Sequence, residues 1–172
     1  MLAEKNVEKN NYIAFLPGSA QAIKCWPAKN FAKLAEALSA QANLKIIAAG
    51  TASEKQQIEN IVRQSRTPII NLAGQTNVSQ LAALLGGAKM VIGNDTGPGH
   101  IAFAMGVPTI FIFGPSNPQR VAPYKSPQSI VAIDPDNRGS DYKSFADEHK
   151  IEAVSVELVL EKALQKLTQE IK

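Results

Sequence analysis

Met90-Val91-Ile92-Gly93-Asn94-Asp95-Thr96-Gly97-Pro98-Gly99-His100-Ile101-Ala102-Phe103-Ala104-Met105 decides the fold. Its opening apolar run reads as a buried strand, its middle as a polar turn, and its end as a helix. Asp95 and Thr96 stand where a helix cap lies, and Pro98 falls in the first turn, where a missing N–H costs nothing. Gly97 and Gly99 allow backbone to come close to a ligand. A helix start also offers unpaired N–H groups and a positive dipole end, which suit an anion or sugar hydroxyls. Asp95 as a simple cap and Asp95 as a ligand-binding carboxylate are both open at this point.

The same alternation runs outward in both directions. Upstream, Tyr12–Leu16, Leu44–Ala49 and Pro68–Leu72 are short apolar runs ended by Pro, Gly or polar residues. Between them lie helical patterns carrying Phe31, Leu34, Ala35 and Leu38, then Ile58, Ile61 and Val62. Asn77-Val78-Ser79-Gln80 has the form of a capping box, opening a helix with Leu81, Leu84 and Leu85 that Gly86-Gly87 closes. The strand at residues 89–93 feeds the central turn, whose helix is expected to end at Gly106. Downstream, Pro108–Phe113 and Ser129–Ile133 read as strands, separated by a loop over residues 116–126. Residues 134–150 read as irregular, with a turn of helix around Phe145 to Glu148. A final amphipathic helix starting at Val154 or Ser155 carries Val156, Val159, Leu160, Ala163, Leu164 and Leu167. Strands alternating with helices predict an α/β fold: a Rossmann-like, doubly wound parallel sheet of about six strands. Residues 1–11 read as a linker or disordered lead-in, and residues 12–172 as the domain.

In such a sheet, ligands sit beyond the carboxyl ends of the strands, where the strand order reverses. The unusual loops all follow strands: Pro17 to Pro27, Gly50 to Glu54, Asn94 to His100 and Gly114 to Ser116. They are expected to converge on one rim. Within them, Lys24 and Ser19 suit a diphosphate, one by charge and one by hydrogen bonding; an exposed loop lysine is the plain alternative. Glu54 stands where an acid holds ribose hydroxyls in dinucleotide folds, yet Thr51-Ala52-Ser53-Glu54 is also a good capping box. Trp26 borders a helix start and reads as packing.

Composition bounds the rest. The 172 residues carry 45% hydrophobic and 19% charged residues, enough for a core that needs neither disulfide nor metal. A net charge of +3 with scattered lysines permits a phosphate-bearing ligand but does not indicate nucleic acid. Cys25 is the single cysteine, so no intramolecular disulfide forms and a reducing, cytoplasmic setting is expected. Nothing near Cys25 in sequence resembles a base that would make it a nucleophile. No Walker loop, Gly-x-Gly-x-x-Gly after the first strand, Gly-x-Ser-x-Gly elbow or metal-ligand cluster is visible. No apolar stretch approaches the length of a membrane span.

Asp95-Thr96-Gly97-Pro98-Gly99-His100, the run Ala102 to Pro108, and Phe113-Gly114-Pro115-Ser116-Asn117-Pro118 together resemble the C-terminal half of the heptosyltransferases, glycosyltransferase family nine. Pro17-Gly18-Ser19 and Lys24-Cys25-Trp26-Pro27 are similar to the family's first-loop pattern. Some members carry a second hydroxyl residue where this chain has Ala20. The resemblance implies half of a GT-B enzyme: a donor-binding domain for a nucleotide sugar, usually ADP-heptose, with no cofactor or metal. By that resemblance Ser19 and Lys24 hold the diphosphate, Glu54 the adenosine ribose, and Asp95 the sugar hydroxyls. Thr96 and Gly97 present N–H groups to phosphate, and His100 braces the turn. The lipid A–core acceptor and the catalytic base belong to an N-terminal domain for which this chain has no room. The chain is therefore expected to be a C-terminal fragment, inactive alone, with residues 1–11 as interdomain linker. The resemblance also implies possible peripheral association of the whole enzyme with the inner face of the inner membrane. Two rivals keep the fold: a non-catalytic nucleotide-binding module, and half of another GT-B enzyme using a UDP-sugar.

Overall fold

A computed structural model describes residues 7–123, 126–144 and 146–169. Six strands, β1 (Tyr12–Leu16), β2 (Lys45–Ala48), β3 (Ile69–Asn71), β4 (Met90–Asn94), β5 (Thr109–Ile112) and β6 (Ile130–Val131), form one sheet in the order β3-β2-β1-β4-β5-β6. Every pairing is parallel. The helices are α1 (Ala28–Ala42), α2 (Lys55–Gln64), α3 (Val78–Gly86), α4 (Gly97–Ala104), α5 (Pro118–Val121) and α6 (Val156–Gln169).

Strand side chains alternate between faces, and the two faces bury different helices. Ile13, Phe15, Ile46, Ala48, Met90, Ile92, Ile110 and Ile112 pack with Phe31, Leu34 and Leu38 of α1, Ile58 and Ile61 of α2, and Val159 and Ala163 of α6. Tyr12, Ala14, Leu16, Ile47 and Val91 point the other way, onto Leu84 and Leu85 of α3 and Ala102 of α4. The strand order reverses between β1 and β4, which pair in register from Ile13–Met90 to Leu16–Gly93. A Cβ at Gly93 would stand 2.5 Å from the Leu16 carbonyl oxygen, so only glycine lets the two strand ends close at this crevice.

Several boundaries differ from the sequence reading. Residues 1–6 lie outside the described residues, but the lead-in's last part is not loose: Val7 is buried against α3 and β1 neighbours, and the Asn10 N–H donates to the Gly87 carbonyl at 2.9 Å. The loop over 116–126 contains α5, because Asn117 caps it by accepting from the Gln119 N–H at 3.1 Å and Pro118 starts its first turn. Helix α4 stops at Ala104, two residues short of Gly106, whose φ of +77° turns the chain. The expected turn of helix near Phe145 is a 3-10 turn at Asp147–His149, and Phe145 itself lies outside the described residues.

Candidate functional site

A cleft of about 590 Å³ opens beyond the carboxyl ends of β1, β2 and β4, at the switch point. Three of the four expected loops line it. The first contributes Gly18, Ser19, Gln21 and Lys24, the second Gly50, Thr51, Ser53 and Glu54, and the third Asp95, Thr96, Gly97 and Pro98. The fourth does not reach it, which corrects the sequence expectation. Gly114 is buttressed by Ile151, whose Cβ would lie 2.5 Å from an added glycine Cβ, and Ser116 forms an antiparallel bridge with Lys143. A somewhat larger hollow, about 670 Å³, lies beside β6 among Pro118, Pro123, Pro127 and Leu158, and contains none of the residues given a binding role by sequence.

Asp95 is the centre of the cleft's charge. Its Oδ2 lies 3.1 Å from Lys24 Nζ and its Oδ1 lies 3.1 Å from His100 Nε2. These are the two contacts that orient the carboxylate, and its side chain is only 10% exposed. Of the two readings left open by sequence, the cap is not the one formed. Thr96, with extended backbone, is the N-cap of α4, and no side chain caps that helix. Asp95 therefore turns into the cleft instead of onto the helix end. His100, one turn into α4, donates its backbone N–H to the Thr96 carbonyl at 3.3 Å, and its ring packs on Phe111 at a centroid distance of 4.7 Å. His100 is not among the residues that line the cleft.

Glu54 does act as a cap. Its Oε2 accepts from the Thr51 N–H at 2.6 Å and from the Thr51 hydroxyl at 2.9 Å, and the reciprocal capping-box bond is present. It also borders the cleft, so the capping and ligand-facing readings coexist. Ser19 lines the cleft with its hydroxyl accepting from the Gln21 N–H at 3.3 Å. Cys25 is half-buried, and burial, the largest cause, pushes its thiol up from the ordinary range; a hydrogen bond from Gln57 pulls the other way. A raised thiol is a poor nucleophile. Trp26 is fully buried, packs edge-on against Phe31 at 5.0 Å, and donates its indole N–H to the Val154 carbonyl at 2.8 Å.

Two contributors were missed by the sequence reading. Asn94 is fully buried and ties the first loop at both ends. Its Oδ1 accepts from the Trp26 N–H at 3.0 Å, while its Nδ2 donates to the Pro17 carbonyl at 2.6 Å and the Gly18 carbonyl at 3.4 Å. The signal was a polar residue at an inward strand end, next to the motif. The second is the start of α3: Thr76, Asn77, Val78 and Leu81 form the cleft's other wall, with Val78 76% exposed. A large apolar residue left exposed beside a ligand-sized cleft is the kind of surface a flat ring covers.

Among the described residues there is no group of three His, Cys, Asp or Glu placed to hold a metal ion, and no helix is long and apolar enough to cross a membrane.

Comparison with known proteins gives the same fold and a family. The lipopolysaccharide core heptosyltransferase OpsX of Haemophilus influenzae is 30% identical over 128 residues, which is 73% of this chain and 37% of that protein. The crystal structure of a family 9 glycosyl transferase from Veillonella parvula superposes with a TM-score of 0.80 at 25% identity, covering 98% of this chain and 49% of that one. The Escherichia coli heptosyltransferase WaaC solved with ADP shares the fold, with a TM-score of 0.76 at 20% identity over 93% of this chain and 45% of that one. The chain spans about a third of the length of the curated relatives it matches and about half that of the solved structures. With the family profile of glycosyltransferase family 9 (heptosyltransferase) matched over residues 2–152, the chain belongs to that family.

Proposed function

We propose that this domain is the donor-binding half of a glycosyltransferase that moves heptose from ADP-heptose to the inner core of lipopolysaccharide. The observation that carries the reading is the Lys24–Asp95–His100 arrangement at the switch-point cleft. A carboxylate fixed at both oxygens, with an ammonium beside it and a helix N-terminus after it, suits a ligand that is part sugar and part phosphate. The relatives' names supply the sugar, and the WaaC structure with ADP supplies the base. In this reading Ser19 and Lys24 bind the diphosphate, Thr96 and Gly97 offer N–H groups to it, Glu54 meets the ribose, and Asp95 meets sugar hydroxyls. As the glycosidic bond to phosphate breaks, negative charge grows on the leaving diphosphate. Lys24 and the start of α4 stabilise that charge more than the ground state. The base that takes the acceptor hydroxyl proton, and the lipid A–core acceptor itself, belong to the acceptor-binding part of the longer relatives. The whole enzyme works at the cytoplasmic face of the inner membrane, where such an acceptor is held.

Calorimetric titration of the chain with ADP, ADP-heptose and UDP tests the reading. ADP is expected to bind better than UDP. Lys24→Ala should weaken ADP by about ten- to a hundredfold, as for a lost charge-assisted contact. Asp95→Ala should weaken ADP-heptose more than ADP. Binding indifferent to both substitutions would instead favour a nucleotide-binding module without this chemistry, and a preference for UDP would favour another GT-B donor.

A further inference from the structure

The motif Gly114-Pro115-Ser116-Asn117-Pro118 does not touch the cleft, yet it builds something beside it. It braces the segment 138–144 through a dense set of bonds. The Asn117 N–H donates to the Tyr142 carbonyl at 3.0 Å, and its Nδ2 donates to the carbonyls of Gly139 (3.1 Å) and Asp141 (3.0 Å). The Ser144 N–H donates to the Pro115 carbonyl at 2.8 Å, and Ser116 and Lys143 form the bridge already noted. The buried Arg138 guanidinium closes the other side by donating to the carbonyls of Gly114 and Ser116. Burial holds that guanidinium below its ordinary range, as expected for a cation surrounded mainly by carbonyls, with the nearby Asp134 pulling the other way. The product of this brace is the position of Lys143. Its Nζ donates to Gln21 Oε1 at 2.8 Å, and Gln21 lines the cleft three residues before Lys24.

The cleft needs such a cation. Among the described residues, the charged ones on its wall are one ammonium, Lys24, and two carboxylates, Glu54 and Asp95. Lys24 is itself paired with Asp95. A diphosphate entering there meets a wall of net negative charge, which by itself disfavours it. Lys143 is held by a neutral amide, not a carboxylate, so leaving that partner for a phosphate oxygen exchanges a weaker bond for a charge-assisted one. We propose that Lys143 is a second phosphate-binding cation of the cleft, presented by the Gly114–Pro118 brace and reaching the donor diphosphate past Gln21. This rests on the donor-binding reading above.

The test is titration of the chain with ADP, AMP and adenosine, using Lys143→Gln, Lys143→Arg and Lys24→Ala. Lys143→Gln should weaken ADP about three- to tenfold, weaken AMP less, and leave adenosine unchanged; Lys143→Arg should recover most of the ADP affinity. The salt dependence of ADP binding should also flatten in Lys143→Gln, because one fewer cation contributes. If Lys24→Ala weakens ADP while Lys143→Gln matches the parent protein, the second cation is refuted and the donor site stands. Equal losses for ADP and adenosine would overturn it too, since they would mean an altered loop shape and not a lost charge. If Lys24→Ala leaves ADP binding intact, the donor-site reading itself falls, and this inference with it.

Discussion

Asn94→Asp tests the claim that one buried amide sets the geometry of the first loop. The substitution is nearly isosteric. It keeps an oxygen to accept from the Trp26 N–H, but it replaces the Nδ2 donor that faces the Pro17 and Gly18 carbonyls at 2.6 and 3.4 Å. Ionised, the new carboxylate would aim an oxygen at two carbonyl oxygens in a site with no solvent exposure. An uncompensated buried charge costs about 3–5 kcal/mol. The protonated form restores a donor toward Pro17 and avoids most of that cost. The introduced carboxyl therefore has a raised pKa in the folded state. By linkage its favourable contribution is present below the unfolded value and is lost as pH rises through the folded value. The expected result is a denaturant midpoint close to that of the parent protein near pH 4 and a loss of about 3–5 kcal/mol at pH 8. At pH 8, ADP affinity measured on the folded fraction should fall as well, because Ser19 and Lys24 lie on the loop that Asn94 anchors. A variant as stable as the parent at pH 8, or equally destabilised at both pH values, would refute the assigned hydrogen-bond polarity.

Two other perturbations follow from the same packing logic. Tyr12 is fully buried, and burial pushes its phenol up to about 12 while its hydroxyl donates to the Leu84 carbonyl. The unfolded phenol ionises near pH 10, so this raised group stabilises the fold below that pH and loses the contribution as pH rises toward 12. Urea titrations should show the parent losing about 2–3 kcal/mol more than Tyr12→Phe across that window; parallel curves would contradict it. Gly18→Ala would put a Cβ 1.7 Å from Glu54 Oε1 and must displace that carboxylate from its cap. It should cost about 1 kcal/mol alone and much less in a Glu54→Ala background, a coupling that a double-mutant cycle measures directly.

The fold was legible because its signals are local. Short apolar runs such as Tyr12–Leu16, each ended by Pro, Gly or a polar residue, mark strands wherever they land, and the capping box at Asn77–Gln80 formed as written. The meeting of Lys24 and Asp95 at one cleft was legible, because both lie on loops that leave neighbouring strand ends. What was not legible depends on partners far away in sequence. Asn94 bonds across 68 residues to Trp26 and 77 to Pro17, and Lys143 reaches Gln21 across 122. No spacing rule encodes such distances. Gly114–Ser116 misled for the complementary reason: a strand-end loop near the β6 edge is far enough from the switch point to face its own neighbours, Ile151 and Lys143.

The two contacts on Asp95 suggest how binding and orientation are linked. Both carboxylate oxygens are engaged, Oδ2 by Lys24 and Oδ1 by His100. If a phosphate draws Lys24 away, Oδ2 becomes an open acceptor while His100 still fixes the other oxygen. The diphosphate would then expose the carboxylate oxygen that the proposed reading gives to the sugar hydroxyls. A nucleotide lacking the sugar must break the Lys24–Asp95 pair without filling Oδ2, and so spends part of its phosphate contact on leaving a half-buried carboxylate underused. On the proposed donor-binding reading, the arrangement would favour the complete nucleotide sugar over the bare nucleotide product. Asp95→Ala removes that penalty together with the sugar contact, which is why its effect should fall on ADP-heptose and spare ADP.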